Sequence, residues 1–233
     1  MGRPLESVPM PGSTARRAPL RFLCLLALLP AAAFARDTLA EYTLDPVHTR
    51  VMFAISHAGF SNALGTVSGS TGTVVFDPDD WTRARVDVRV PIARADLGDA
   101  DWNKATLAKS LLDAEGHPEA RFVSTRVEPV DATHAKVHGD LSLRGVTRAV
   151  VLDVTLNAAK RHPMPPFRRT VGFTATTTLS RADFGITAWK SVIGDEVALR
   201  IEAEATYDGK ADEETETETA PALPAPASPE PTP

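Results

Sequence analysis

Cysteine is nearly absent from this sequence of 233 residues, and the single one, Cys24, lies close to the N-terminus. It falls within a segment that we predict below to be removed as a leader, so the mature chain would carry neither a thiol nor a disulfide. We therefore expect a hydrophobic core, rather than cross-links, to supply the stability. The residues before it, Arg21-Phe22-Leu23, are not the small residues of a lipoprotein cleavage site, so lipidation is not expected.

An excess of charge of one sign is also lacking in the central part of the chain. Residues 36–210 contain 21 basic and 23 acidic residues, which gives a net charge of −2. This near-balance argues against nucleic-acid binding and against strong attraction to an anionic membrane.

The apolar run near the N-terminus, residues 22–34, is shorter than the ~20 residues that a spanning helix needs. Arg16, Arg17 and Arg21 precede the run, and Ala-Phe-Ala at 33–35 ends it. This order is typical of a secretory signal peptide, so we predict that residues 1–35 are cleaved after Ala35 and that the protein is exported. A membrane anchor, or a twin-arginine signal using the paired arginines, is the alternative.

The C-terminal residues 211–233 contain six acidic residues, six prolines and no basic residue. Such a segment cannot bury enough apolar surface to offset its chain entropy, so we predict a disordered acidic tail. It would serve solubility or bind a partner. The remaining residues, 36–210, are enough for one domain.

Apolar and polar residues alternate with a period of two through most of this domain. Residues 196–205 are the clearest case, with apolar residues at the odd positions and mostly charged residues at the even ones. The same alternation predicts half-buried strands elsewhere. It recurs in residues 51–57, 85–90, 136–144, 150–156 and 171–179. In residues 119–128 the pattern is less regular, and it predicts Val123 and Val127 on one face with Phe122 on the other.

Turn signals separate these runs, and one segment departs from the pattern. The turn signals are Gly65, Gly69 and Gly72, residues 77–80, and residues 162–166. Residues 101–112 instead favour one helix of about three turns, with Asp99 or Asp101 as the N-cap.

Many short alternating strands with one helix predict an all-β fold, an antiparallel barrel of about eight strands with the helix at the barrel mouth. Closure is favoured because it removes exposed strand edges. Small residues on the inward face, such as Gly139 and Ala175, slightly favour a hollow barrel. Alternation alone leaves a hollow and a packed interior both open.

If the barrel is hollow, its inward residues, together with those of the helix and of a plug at Phe184, are the candidates for ligand contact. These are Val51, Phe53, Ile55, His57, Val88, Trp102, Leu107, Leu111, Leu141, Leu143, Leu152, Val154, Phe173, Phe184, Leu199 and Ile201. Of these, His57 is the candidate to hydrogen-bond a ligand head group. Trp102 and Trp189 are predicted to flank the openings.

Two chemical sites can be drawn around the first strand, and neither is favoured. Asp45, His48 and His57 could be drawn as metal ligands, but the two histidines have opposite parity and should point to opposite faces of a regular strand. Ser56 beside His57 lacks the G-x-S-x-G surroundings of a nucleophile elbow. No metal or other cofactor and no catalytic residue is therefore predicted.

Five segments, in order, resemble the YceI-like family: residues 42–57, 122–125, 139–147, 181–186 and 193–197. Together they extend over about residues 41–207. The resemblance implies a lipocalin-like barrel, usually periplasmic, that holds an isoprenoid chain. It also implies polyprenyl phosphates or isoprenoid quinones as ligands, a binding or transport role without catalysis, and frequent homodimers.

The resemblance is weakest at the predicted helix. Where the family often has Ser-Ile-Asp-Thr-Gly-Asn followed by Arg-Asp, this chain has Ala-Arg-Ala-Asp-Leu-Gly-Asp at 93–99, followed by Asp-Trp-Asn-Lys at 101–104. Two other functions stay open. One is an enzyme or redox-accessory protein acting on an isoprenoid or quinone in the same cavity. The other is an interaction module that uses the tail or the barrel rim to contact a membrane or a membrane protein.

Overall fold

The computed structural model describes residues 39–207 and Gly209, and most of these residues lie in strands. The predicted leader and tail fall outside the described residues and stay predictions. The elements are β1 Ala40–Leu44, β2 Arg50–His57, β3 Ser61–Ser68, β4 Thr71–Phe76, β5 Arg85–Pro91, β6 Ala95–Asp96, α1 Ala100–Leu107, β7 Glu119–Pro129, β8 His134–Leu143, β9 Val146–Arg161, β10 Arg169–Ser180 and β11 Ile193–Tyr207. Within the described part, no helix is long and apolar enough to cross a membrane.

The strands form one antiparallel sheet that closes on itself, as predicted. The ring runs β1–β4–β5–β7–β8–β9–β10–β11, and β11 pairs again with β1, where Leu44 lies opposite Ala205. The other three strands, β2, β3 and β6, continue ring strands toward one end of the barrel. Counted with their continuations, the strands number eight, which confirms the predicted fold class.

Two of the eight strands are broken at the same level of the barrel. β1 and β2 both pair with β11 and are separated by a turn, in which the Asp45 side chain accepts hydrogen bonds from the backbone N–H groups of Val47 (2.7 Å) and His48 (3.2 Å). β3 and β4 are separated at Gly69, whose φ is +79° and whose N–H donates to the Pro46 carbonyl at 3.2 Å. The turn at one break is therefore hydrogen-bonded to the chain at the other break.

In β7, the irregular strand, the prediction that Phe122 and Val127 point to opposite faces was wrong. Phe122 and Val127 are both buried and face the interior, although their parity differs. The cause is a β-bulge, because Ser124 pairs with Gly139 and Arg126 pairs with His138, which leaves an extra residue in β7. One extra residue reverses the face to which later side chains point.

The helix is shorter than predicted. α1 begins after its N-cap Asp99, whose carboxylate accepts from the N–H groups of Asp101 (3.1 Å) and Trp102 (3.0 Å), and it ends at Leu107. The following residues turn back on the helix, with the N–H of Leu112 donating to the Thr106 carbonyl at 3.0 Å. This turn brings both Leu111 and Leu112 against the core. In a continued three-turn helix, two consecutive side chains would point in different directions, so only one of them would face the core.

Two glycines predicted as turn residues lie inside strands instead. Gly65 is in β3, and Gly72 is in β4 with a φ of +144°. A Cβ at residue 72 would overlap the backbone carbonyl of Asp87 on the neighbouring strand. The glycine is needed there because the two backbones approach closely.

Candidate ligand cavity

The barrel is hollow and encloses a cavity of about 650 Å³. Its wall is built mainly from the inward valine, leucine, isoleucine, alanine and phenylalanine side chains of all the strands of the ring. The volume lies within the range of roughly 300–1,000 Å³ that is usual for small-molecule sites. This settles the choice between a hollow and a packed interior, which alternation left open.

All but one of the sequence-predicted contact residues line this cavity. The residues that do so are Val51, Phe53, Ile55, His57, Val88, Trp102, Leu111, Leu141, Leu143, Leu152, Val154, Phe173, Phe184, Leu199 and Ile201. Leu107 is the exception and does not belong to the wall. The helix instead presents Ala105 and Thr106, because α1 is oriented so that these positions, and not Leu107, share a face with Trp102.

The cavity opens at the end of the barrel that carries α1, which we call the mouth. Most of the wall is buried or half-buried, and its exposed members all lie at this end. They are Trp102, Ala105, Ala108, Ser110, Trp189 and Val192. The placement of the two tryptophans at an opening agrees with the prediction from the sequence.

The opposite end is closed by aromatic rings. Trp81 is 5% exposed, and its ring lies edge-on to Phe76 with centroids 5.1 Å apart. Phe76 also meets Phe173 edge-on at 5.2 Å. Such edge-to-face contacts are favourable beyond the area that they bury. The sequence did not single out Trp81, because it follows the turn at residues 77–80 and belongs to no alternating strand.

His57 lies at the mouth, on the last position of β2, and contributes to the wall. Its ring contacts the ring of Trp102 on α1, with centroids 5.3 Å apart. This contact joins the helix to the rim formed by β2. A head group at the mouth would therefore meet an imidazole and an indole together.

Arg181 is the only Arg, Lys, Asp or Glu in the wall as far as the described residues show, and it is 6% exposed. Its guanidinium donates to four backbone carbonyls: those of Gly194 (2.7 Å), Ile186 (3.0 Å), Ala188 (2.8 Å) and Ile193 (2.9 Å). These bonds fold residues 181–194 across the mouth. The sequence places Arg181 in a family-like segment, but its carbonyl contacts become visible only in three dimensions.

Arg144 ties together two other parts of the mouth. It lies in the β8–β9 turn with a φ of +51°, followed by Gly145 at +75°, as expected of a hairpin turn. Its side chain donates to the carbonyls of Gly185 (3.1 Å) and Lys109 (2.9 Å). The segment after α1 and the segment after β10 are thus held by one side chain.

The segment that departs from the family pattern has its own supporting contacts. Asn103 on α1 donates to the Asp96 carboxylate at 2.9 Å and accepts from the Leu97 N–H at 2.7 Å. The Asp96 carboxylate also accepts from the Gly98 N–H at 2.8 Å. These bonds fix the approach to the helix, so the mouth is ordered despite its unusual sequence.

His48 does not belong to the cavity wall, although its neighbour Thr49 does. It lies in the turn between β1 and β2, where its Nδ1 is 2.7 Å from Oδ2 of Asp45, while His57 lies at the mouth. Hydrogen bonding to Asp45 raises the pKa of His48 above its ordinary value. Among the described residues, no group of three or more His, Cys, Asp or Glu is placed to hold a metal ion.

A closed eight-stranded antiparallel barrel with an apolar interior, open at one end, defines the lipocalin-like class of barrels. The YceI-like domain matches residues 42–205, most of the chain, so this protein belongs to the YceI-like family. This agrees with the resemblance seen in its five sequence segments.

Curated relatives and solved structures agree with this assignment. A UPF0312 protein of Pseudomonas syringae pv. syringae is 36% identical over 167 residues, which cover 70% of this chain and 86% of the relative. Burkholderia cenocepacia BcnA superposes with a TM-score of 0.62 at 26% identity, covering 70% of this chain and 99% of that one.

Two more distant structures share the fold. The Campylobacter jejuni YceI protein has a TM-score of 0.57 at 22% identity, covering 64% of this chain and 88% of that one. A polyisoprenoid binding domain from Saccharophagus degradans has a TM-score of 0.54 at 15% identity, covering 72% of this chain and 99% of that one.

Proposed function

We propose that this protein is a periplasmic carrier that holds the hydrocarbon chain of an isoprenoid lipid in its barrel. The observation that carries the proposal is the apolar cavity of about 650 Å³, open at one end of a closed barrel. Each 100 Å² of apolar ligand surface buried there would contribute roughly 2.5 kcal/mol. The predicted leader supports export, and the fold shared with a polyisoprenoid binding domain supports the ligand class.

The charges of the wall favour one orientation of the lipid. The buried guanidinium of Arg181 is engaged with four carbonyls, and no carboxylate or lysine belongs to the wall as far as the described residues show. Burying a charged head group without a partner is costly. The apolar chain would therefore enter first, with a phosphate or quinone head near His57 and Trp102 at the mouth.

The mouth is also suited to collecting a lipid from a membrane. Phe60 at the tip of the β2–β3 hairpin is 93% exposed and Trp189 is 65% exposed. The two lie on adjacent segments, because the Ala58 N–H donates to the Val192 carbonyl at 2.6 Å. Aromatic side chains of this kind favour the interface between water and lipid. Transient contact of this rim with a bilayer would let lipid transfer without crossing water.

Mass spectrometry of an organic extract tests the proposal directly. The mature protein, purified from the periplasm of its native host, should yield an isoprenoid lipid in near-stoichiometric amount. The delipidated protein should then take up a polyprenyl phosphate or an isoprenoid quinone. Recovery of no lipid, together with no uptake of either ligand, would remove the proposal.

An enzyme acting in the same cavity would need an acid–base partner for His57. Aspartate and glutamate are absent from the wall among the residues described, so the geometry supports binding over catalysis. Replacing His57 by Phe separates the two. A carrier should retain the lipid chain with a weakened preference for the head group. Loss of a chemical turnover, with binding unchanged, would favour the enzyme.

A further inference from the structure

Two hydroxyl groups at the mouth, those of Thr106 and Ser110, lie in the cavity wall without a hydrogen-bond partner in the described part of the protein. Thr106 is half-buried on α1, and Ser110 is exposed in the turn that follows the helix. The bond from the Leu112 N–H to the Thr106 carbonyl, 3.0 Å, closes that turn. The two hydroxyls are therefore held within a single turn of chain on one side of the opening.

His57 adds an imidazole from the other side of the opening. Its ring contacts Trp102, which precedes Thr106 by four residues and so shares a face of α1 with it. A hydroxyl and a neutral imidazole each offer a hydrogen-bond donor and an acceptor. Thr106, Ser110 and His57, which we call the mouth subsite, thus suit a head group with a hydroxyl or carbonyl oxygen.

A phosphate head group would find no free cation in this part of the wall. Arg181 is the only Arg or Lys in the described wall, and its guanidinium is engaged with four carbonyls. Lys104, Lys109 and Lys190 are exposed and lie outside the wall. Hydroxyls alone would leave most of the charge of a phosphate uncompensated, which is costly on burial.

The charge around the opening also disfavours an anion. Residues 96–118 and 181–196, the two segments that border the opening, contain eight acidic and four basic residues, a net charge of −4. Arg144 adds a positive charge nearby, but its side chain donates to the carbonyls of Gly185 and Lys109. A cleft bordered by charge of one sign repels a ligand of the same sign.

We propose that the mouth subsite binds an uncharged head group with an oxygen atom, such as an alcohol or a quinone, and discriminates against the phosphorylated form of the same lipid. This inference rests on the proposed carrier function and specifies the head group that the carrier accepts. The barrel holds the same hydrocarbon chain in both cases, so the selectivity arises at the mouth.

A competition between two lipids of equal chain length tests the selectivity. Delipidated protein is incubated at pH 8 with phosphatidylcholine vesicles that contain equal amounts of a polyprenol and of its monophosphate. Lipids bound to the re-isolated protein are quantified by mass spectrometry. A phosphate monoester carries close to two negative charges at this pH. We expect the alcohol to be bound in about tenfold excess over the phosphate.

Removing the two hydroxyls should weaken the binding of the head group alone. Thr106→Val combined with Ser110→Ala should lower the bound polyprenol about tenfold and leave the uptake of squalene, an isoprenoid hydrocarbon without a head group, unchanged. Ser70→Ala is the matched control, because Ser70 also lines the cavity and its hydroxyl also has no partner, but it lies between β3 and β4 and is fully buried. This control should change neither lipid.

Ser110→Lys supplies the missing cation at an exposed position and should shift the ratio of bound lipids about tenfold toward the phosphate. Comparison with the unsubstituted protein cancels any difference in how the two lipids partition into the vesicles. The inference is overturned if the phosphate is bound as well as the alcohol, if Ser110→Lys leaves the ratio unchanged, or if Ser70→Ala lowers bound polyprenol as much as the double variant. Squalene uptake in those cases would leave the carrier function standing, whereas no uptake of any of the three lipids would remove both.

Discussion

Phe53 on β2 and Gly65 on β3 lie directly opposite each other, and the phenyl ring of Phe53 occupies the space where a Cβ of residue 65 would lie. Both residues point into the barrel. Gly139 lies opposite Ser124, but a Cβ at residue 139 would likewise overlap the ring of the nearby Phe122. Inward glycines thus let large rings lie flat against the wall, and the cavity keeps its volume.

Replacing Gly65 by Ala should push the Phe53 ring into the cavity. Overpacking of this kind costs about 1–3 kcal/mol, and the displaced ring would take space from the ligand. We expect a lower Tm together with a reduced amount of co-purified lipid. The matched control is Gly172→Ala, because a Cβ there meets nothing closer than 4.0 Å. An unchanged lipid content in Gly65→Ala would show that the ring does not move inward.

Filling the cavity should abolish ligand uptake while leaving the fold intact. Ala175 on β10 lines the cavity, and its neighbour Thr176 is exposed on the outer face. Ala175→Phe should eliminate the extracted lipid, with a stability change of about 1–3 kcal/mol at most, since the cavity receives the added ring. Thr176→Phe should retain the lipid. Equal lipid content in the two variants would place the ligand outside the barrel.

The buried guanidinium of Arg181 should be essential for the order of the mouth. Lys cannot reproduce four hydrogen bonds to carbonyls in fixed directions, and buried acceptors would lose their donor. Arg181→Lys should therefore lower the stability by about 3 kcal/mol, measured by denaturant unfolding, and speed up amide exchange in residues 181–194. Arg89→Lys is the control, because Arg89 is exposed and its Nε lies 3.9 Å from the Glu119 carboxylate, which is a long and weak ion pair. Equal effects of both substitutions would argue against the role of Arg181.

The turn between β7 and β8 should titrate at unusually low pH. A hydrogen bond from the Thr133 N–H, and another from His134, lower the pKa of Asp131 to about 2. A lowered pKa contributes stability above the ordinary aspartate range, and this contribution is lost as the pH falls toward 2. The carboxyl resonance of Asp131 should show this titration. The stability difference between the protein and Asp131→Asn should shrink between pH 5 and pH 2, and a constant difference would contradict the assignment.

Several features of the fold follow from local patterns. Alternation in residues 196–205 predicts β11 with its inward face, because a half-buried strand must place apolar residues at every second position. The N-cap at Asp99 is equally local, since a carboxylate before a helix satisfies its free N–H groups. Because alternation identifies the inward face of each strand, most of the residues predicted to contact a ligand do line the cavity.

Other features depend on partners that are distant in sequence. The helix ends at Leu107 because the following segment packs back against the core. Phe122 and Val127 share a face because of a bulge, which is defined only by pairing with β8. Gly65 is of a residue type that is typical of turns, but it lies in β3, where the absence of a side chain leaves room for the Phe53 ring.

The sequence by itself thus determined the class of fold, the family and the inward face of nearly every strand, since these depend on period-two alternation and on short motifs. Only the tertiary structure decided that the barrel is hollow and that Trp81 closes the end opposite the mouth. These properties depend on how rings and backbone carbonyls from distant segments meet, and the spacing of apolar residues along one strand carries no information about such contacts.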